Sequence, residues 1–227
     1  MTMKNVHPTN AVLSTRIADE LRHVILSGQL SPGKRIRQEE LADQFGASRI
    51  PVREALRILV TDGLVNIVSN SGAWVSSLTQ QECSEQYQIR ERLEPLLLRF
   101  NLPQLTATDI SRAGELVQQM KNMLDIEALI HLDREFHWIM YSRVHTSSLT
   151  ELIERLWNTT QPYRRVYMNL VRSAKGIEVA HLEHDLLLEA IKQADSEEAE
   201  SILRGHIRRT RIELDRHPEV FAHQSKG

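Results

Sequence analysis

The opening part of the chain alternates apolar and polar positions with helical spacing. Ile17, Leu21, Val24 and Ile25 define one face of an amphipathic helix that starts near Ser14 or Thr15 as its cap and ends by Gly28. Ser31-Pro32-Gly33 then forces a turn. A second helix is predicted over Gln38 to Phe45, burying Leu41, Ala42 and Phe45. A third runs from Ser48 to Asp62 and buries Val52, Leu56, Leu59 and Val60. The pattern next changes to two β-prone runs, Leu64-Val65-Asn66-Ile67-Val68 and Ala73-Trp74-Val75. They flank the polar turn Ser69-Asn70-Ser71-Gly72, which reads as a hairpin. Three helices followed by a hairpin make a winged helix-turn-helix, here spanning residues 1–77.

Ser76-Ser77-Leu78-Thr79 reads as a linker, with Thr79 capping the next helix. Beyond it the periodicity is helical throughout. Helices are predicted at about 79–101, 106–123, 126–144, 148–174, 178–194 and 196–216, broken at Pro103, Thr146-Ser147-Ser148, Gly176 and Asp195-Ser196. Pro95 and Pro162 fall within these helices and are expected to kink them or to sit in a first turn. Residues 78–227 therefore read as a second domain, an all-α bundle of about six helices, and the chain as mainly α.

Composition changes this picture little. The 227 residues are 41% hydrophobic and 26% charged, ordinary for a soluble globular protein. No apolar run approaches the roughly 20 residues that span a bilayer, and Met1 to Asn10 lacks the apolar region of a secretory signal. A single cysteine, Cys83, cannot form an internal disulfide and reads as a packing residue. The expected location is therefore the cytoplasm, with no membrane partner. The net charge of −2 does not announce nucleic acid, but its distribution is uneven. Residues 1–78 hold nine Lys/Arg against seven Asp/Glu, and eight of the ten histidines lie beyond them. The two parts are expected to have different partners.

Residues 40–57 carry the chemistry of the first part. Gly46 supplies the permissive turn between two helices. Arg49 and Arg53 then project from one face of the second helix, four residues apart. An arginine there can donate bidentately to guanine O6 and N7 in the major groove. Ser48 can cap that helix or reach a phosphate, Pro51 fits its first turn, and Arg57 suits the DNA backbone. Lys34, Arg35 and Arg37 are candidates for phosphate contacts. Gly72 marks the wing turn, which can reach the backbone or minor groove. An isolated surface arginine is usually only solvated; glycine turn, arginine spacing and hairpin together point to DNA.

The second part turns histidines inward. On the helix over 126–144, Asp133 and His137 share the apolar face of Leu129, Ile130, Phe136 and Met140, about one turn apart. A carboxylate on such a face needs a partner or a metal. His184 lies with Leu187, Leu188 and Ile191, and His206 with Leu203, Ile207 and Thr210. Imidazole with carboxylate suits Zn, Ni, Fe or Mn, and the lack of thiolate disfavours a closed structural zinc site. The competing reading makes each a hydrogen-bonded core histidine, and spacing alone leaves His131, His145 and His181 open as alternatives.

Gly46-Ala47-Ser48-Arg49-Ile50-Pro51-Val52-Arg53-Glu54-Ala55-Leu56-Arg57 closely resembles the signature of the GntR family of bacterial transcription regulators, and Ser27 to Gly33 also matches that family's first domain. The helical part is similar to the ligand-sensing FCD domain of the FadR branch. The resemblance implies a homodimer on a palindromic operator in double-stranded DNA, contacted through Arg37, Ser48, Arg49, Pro51, Arg53, Arg57 and Gly72. Glu39 departs from it, since some members carry a DNA-contacting Arg there.

The resemblance also chooses among the histidines. Asp133-Arg134-Glu135-Phe136-His137 matches the family's Asp-x-x-x-His motif, and His184 and His206 match its other two histidine positions. The implied cofactor is a divalent metal ion, Zn, Ni or similar, held by these four residues. Arg90 aligns with an inward arginine that clamps a small carboxylate effector. The reading is a regulator, expected to be a repressor and not an enzyme. The alternatives are a metal-responsive regulator and a metal-dependent enzyme, for which no general acid, base or nucleophile motif is visible.

Overall fold

A computed structural model describes residues 10–69, 71–143, 147–172 and 176–224. They divide into two compact units, the first made of the residues up to Ser77 together with Gln224 and the second covering Leu78 to His223.

In the first unit α1 (Asn10–Leu26) packs across α3 (Arg49–Thr61), burying Ile17, Ala18, Leu21 and Ile25 against Val52, Ala55, Leu56 and Leu59. α1 starts before the expected Ser14 or Thr15. Both hydroxyls instead bond back to carbonyls one turn earlier, Ser14 Oγ to Asn10 O at 2.6 Å and Thr15 Oγ1 to Ala11 O at 3.1 Å, as they do inside helices. α2 (Gln38–Phe45) has the predicted bounds and ends at Gly46, whose φ of 56° lies in the left-handed region that a glycine enters without strain. The hairpin is β2 (Val65–Val68) with β3 (Gly72–Val75). A two-residue strand, β1 (Arg35–Ile36), pairs antiparallel with β3, so the sheet order is β1-β3-β2. Two residues are too few to show an alternating pattern, which is why the sequence concealed β1.

The second unit is helical. It contains α4 (Gln80–Asn101), α5 (Ala107–Asn122), α6 (Ile126–Tyr141), α7 (Ser147–Arg172), α8 (Gly176–Lys192) and α9 (Ser196–Asp215), with short 3-10 turns at Leu102–Gln104 and Pro218–Gln224. Starts are set by local chemistry. Thr79 and Glu82, and Thr106 and Asp109, form reciprocal capping boxes, while Asp125 and Asp195 accept from Ala128 N and Glu198 N. α4 lies along α9 and also packs on α7, and α8 packs on both α5 and α9. Pro95 and Pro162 lie inside α4 and α7. Cys83 is buried, and burial pushes its thiol pKa up to about 12, which keeps it protonated and inert, as expected of a packing residue. No described helix is long and apolar enough to cross a membrane.

Candidate functional site

In the first unit the exposed face of α3 and the wing border one cleft, lined among others by Arg49, Arg53, Arg57, Ile67, Val68 and Gly72. Ser48 takes the N-cap position of α3 in extended backbone, but its side chain makes no capping bond and is left to other partners. Arg49 is 73% exposed and pairs with Glu39 of α2 at 2.8 Å. Arg37 pairs with Glu40 at 3.0 Å and Arg57 with Glu54 at 2.6 Å, and Arg53 is exposed on the same helix. Pro51, expected among the DNA contacts, is buried with Val52. It serves the first turn of α3 and its packing, which leaves little of it for a ligand. Gly72 has a φ of 113°, and a Cβ there would meet the Arg35 guanidinium at 3.6 Å. That guanidinium lies over Trp74, 5.7 Å from the ring centre.

The second unit brings Asp133 and His137 from α6, His184 from α8 and His206 from α9 to one point. A ligating atom of each lies within 4.8 Å of the others, and all four side chains are buried. His184 Nε2 is 3.4 Å and His137 Nε2 4.0 Å from Asp133 Oδ1. The residues fit a divalent cation by an independent criterion. Asp133 Oδ2, His137 Nε2 and both His184 ring nitrogens are buried with no hydrogen-bond partner among the described residues. A satisfied histidine core does not leave such a set of orphans. Burial first, and then neighbouring charge including His206 and Arg164, holds the His137 and His184 pKa values well below 6.5. Both rings are thus neutral and carry the lone pair a metal needs. His131 is exposed and His181 is absent from the cluster, so neither competes; His145 lies outside the described residues.

Around the four residues runs a layer of orienting groups. Tyr141 donates to Glu94 Oε2 at 2.7 Å, and its oxygen lies 3.3 Å from His137 Nδ1. The hydroxyl hydrogen being engaged by Glu94, the oxygen accepts from Nδ1–H, which leaves His137 Nε2 with its lone pair facing the cluster. Glu183 accepts from His206 Nδ1 at 3.0 Å and from Arg209. Burial opposes its ionisation, but these two bonds outweigh burial and bring the Glu183 pKa below the usual value.

The arginine expected to clamp a ligand is placed differently. Arg90 is buried, with Nε donating to Glu94 at 2.5 Å and Nη1 to Thr160 at 2.8 Å, and its guanidinium lies 4.4 Å from the Trp157 ring centre. It does not line the narrow cavity beside the cluster. Arg164 of α7 does. Its Nη2 is 2.5 Å from Asp133 Oδ1, and its Nε is buried without a partner among the described residues. Sequence reasoning missed Arg164 because it sits in the Arg164-Arg165 pair, where nothing marks the inward member.

Comparison with known proteins fits both units. The model of the bacterial regulatory proteins of the gntR family matches residues 13–75, and that of the FCD domain matches residues 85–209. The chain belongs to the GntR family. Its members regulate transcription through an N-terminal helix-turn-helix, and the FCD match places this chain in the FadR-like subfamily. The HTH-type transcriptional regulator McbR of Escherichia coli (strain K12) is 31% identical over 189 residues, covering 82% of this chain and 85% of the relative. The gluconate operon transcriptional repressor of Bacillus licheniformis is 29% identical over 197 residues, covering 82% and 79%. The solved structure of E. coli McbR/YncC superposes with a TM-score of 0.77 at 28% identity, over 90% of this chain and 98% of that one.

Proposed function

We propose that this GntR-family regulator is a cytoplasmic, homodimeric repressor whose FCD domain, residues 78–227, senses a small organic acid at a divalent metal, and whose domain over residues 1–77 reads a palindromic operator. The observation that carries the sensing half is the buried convergence of Asp133, His137, His184 and His206 with their unpartnered atoms. These four residues would hold the ion, which when bound supplies a Lewis-acidic site for a carboxylate oxygen.

Arg164 supports the acid as ligand. Its guanidinium is buried against Asp133, the residue assigned to the metal. A cation held by Asp133 would compete with Arg164 for that carboxylate, and a ligand carboxylate is a planar partner the guanidinium would fit. Arg90 serves the site through Glu94 and Tyr141, as part of the layer that orients His137. In the first domain Arg49 and Arg53 are assigned to base edges, Arg37, Ser48 and Arg57 to phosphates, and the wing around Gly72 to the backbone or minor groove. Coupling between the two ends requires that the acid bind one arrangement of the dimer more tightly than the other.

The test starts from an operator selected from random DNA with the full-length protein. Zinc-loaded protein is expected to bind that operator, and the Arg49→Ala variant to bind it far more weakly while its circular dichroism is unchanged. Operator affinity untouched by Arg49→Ala rejects Arg49 as a reader. DNA binding that tracks zinc alone, with no response to any carboxylate, replaces the acid sensor by a metal sensor.

A further inference from the structure

Ile50 is the second residue of α3 and stands apart from the other apolar side chains of that helix. Pro51, Val52, Ala55, Leu56 and Leu59 are buried, whereas Ile50 is 63% exposed. Arg53, Glu54 and Arg57 follow it at i+3, i+4 and i+7 and are exposed as well. Ile50 thus belongs to the face of α3 that is turned away from the core. The apolar core of the first unit does not include it. Helix propensity does not call for it either, since a β-branched side chain is a poorer helix former than alanine or leucine.

A single exposed hydrophobic residue is ordinary on most surfaces. This one follows Arg49, whose side chain is 73% exposed, in the first turn of the second helix of a helix-turn-helix. That is the turn whose side chains meet base edges when such a helix enters the major groove. Base edges there offer donors, acceptors and one kind of apolar group, the C5-methyl of thymine. Isoleucine neither donates nor accepts a hydrogen bond. Set against the amino group of adenine or cytosine, it displaces water and returns no partner. Set against a thymine methyl, both apolar groups leave water together.

We propose, on the reading of α3 as the helix that enters the operator, that Ile50 reads the C5-methyl of a thymine in each half-site. Arg49 and Arg53 supply hydrogen bonds to their bases; Ile50 adds a preference that no hydrogen bond carries.

The test replaces thymine by uracil, which removes the methyl and keeps every hydrogen-bonding group. Full-length protein and its Ile50→Ala variant are titrated, by fluorescence anisotropy, onto the operator selected from random DNA. Further duplexes carry uracil at one thymine of each half-site in turn. The circular dichroism of the variant is expected to match the parent, because the side chain is exposed and alanine favours a helix. At one symmetric pair of positions, uracil is expected to weaken binding by the parent about fourfold per half-site. Ile50→Ala is expected to bind the thymine and uracil duplexes equally, and this comparison separates the contact from any effect of uracil on DNA shape. Half-sites without thymine, or uracil tolerated at every position, overturn the proposal. So does a uracil effect that Ile50→Ala keeps in full, which assigns the contact to another exposed apolar group such as Ile67 or Val68 of the wing. Selection that enriches no sequence fails at the earlier step, and the operator reading falls with it.

Discussion

Arg164 Nη2 and Asp133 Oδ1 lie 2.5 Å apart on neighbouring helices α7 and α6, with both side chains almost fully buried. The pair neutralises what are otherwise two isolated buried charges in the absence of a cation. Its partners are also the groups proposed to meet metal and acid, so a cation at Asp133 would compete with this contact.

Removing one member of a buried pair costs about 3–5 kcal/mol, because the other charge is left uncompensated. Arg164→Met is therefore expected to lower the unfolding free energy of metal-free protein by about that amount. Saturating zinc, by giving Asp133 a new partner, should remove most of the deficit. Denaturant titrations with and without zinc measure both effects; a variant as stable as the parent without metal contradicts the assignment.

Tyr141 acts on the metal site through His137 rather than by touching an ion. Tyr141→Phe keeps the ring and its packing but loses the acceptor for Nδ1–H and the link to Glu94. Zinc affinity should fall about 10–100-fold with circular dichroism unchanged, the range typical of orienting partners. An unchanged affinity measured by competition with a chromophoric chelator sinks this role.

The buried imidazoles also set a pH dependence. In metal-free protein, burial and then nearby charge hold the His137 and His184 pKa values well below 6.5, the value they regain on unfolding. Below about pH 6.5 the unfolded chain thus binds more protons than the folded one, by up to about two from these rings. Stability conferred by the neutral rings is complete above that pH and declines as pH falls through the window towards the folded values. His184→Gln should remove about half of the proton uptake attributable to the pair. Unfolding free energies flat from pH 7 to 5 contradict the account.

Glu39 is expected to restrain Arg49. The two are exposed and paired across the turn between α2 and α3, so Arg49 must leave or share Glu39 to reach a base. Arg49→Ala should cost about 1–3 kcal/mol of operator binding, whereas Glu39→Ala should strengthen non-specific binding by removing a negative charge from the surface proposed to meet DNA. Fluorescence anisotropy on the selected operator and on a scrambled duplex separates the two effects. Equal non-specific affinity for Glu39→Ala and the parent argues against the restraint.

Much of the fold was legible because its long helices carry clear periodicity and explicit punctuation. Gly46 ends α2 and Thr79 starts α4, both at the positions the pattern predicts. The misses came where a local signal had two meanings. Ser14 is a common cap residue, yet here it bonds back inside α1; β1 is too short to have a pattern. The four inward side chains on α6, α8 and α9 were also readable, since helical phase puts them with apolar neighbours and the family motif selects among the histidines. What the sequence did not show is which arginine serves the cavity. Arg90 and Arg164 both face inward, and only three-dimensional packing commits Arg90 to Glu94 and Thr160 and leaves Arg164 Nε unpartnered among the described residues.

The most direct test of the metal centre is the metal content of purified full-length protein. It is measured by elemental analysis after dialysis against zinc and then metal-free buffer, beside the His137→Ala, His184→Ala double variant. The expected result is about one divalent ion per chain in the parent and almost none in the variant, with both still binding DNA through intact winged domains. Equal metal content in the two proteins, or none in either, contradicts it.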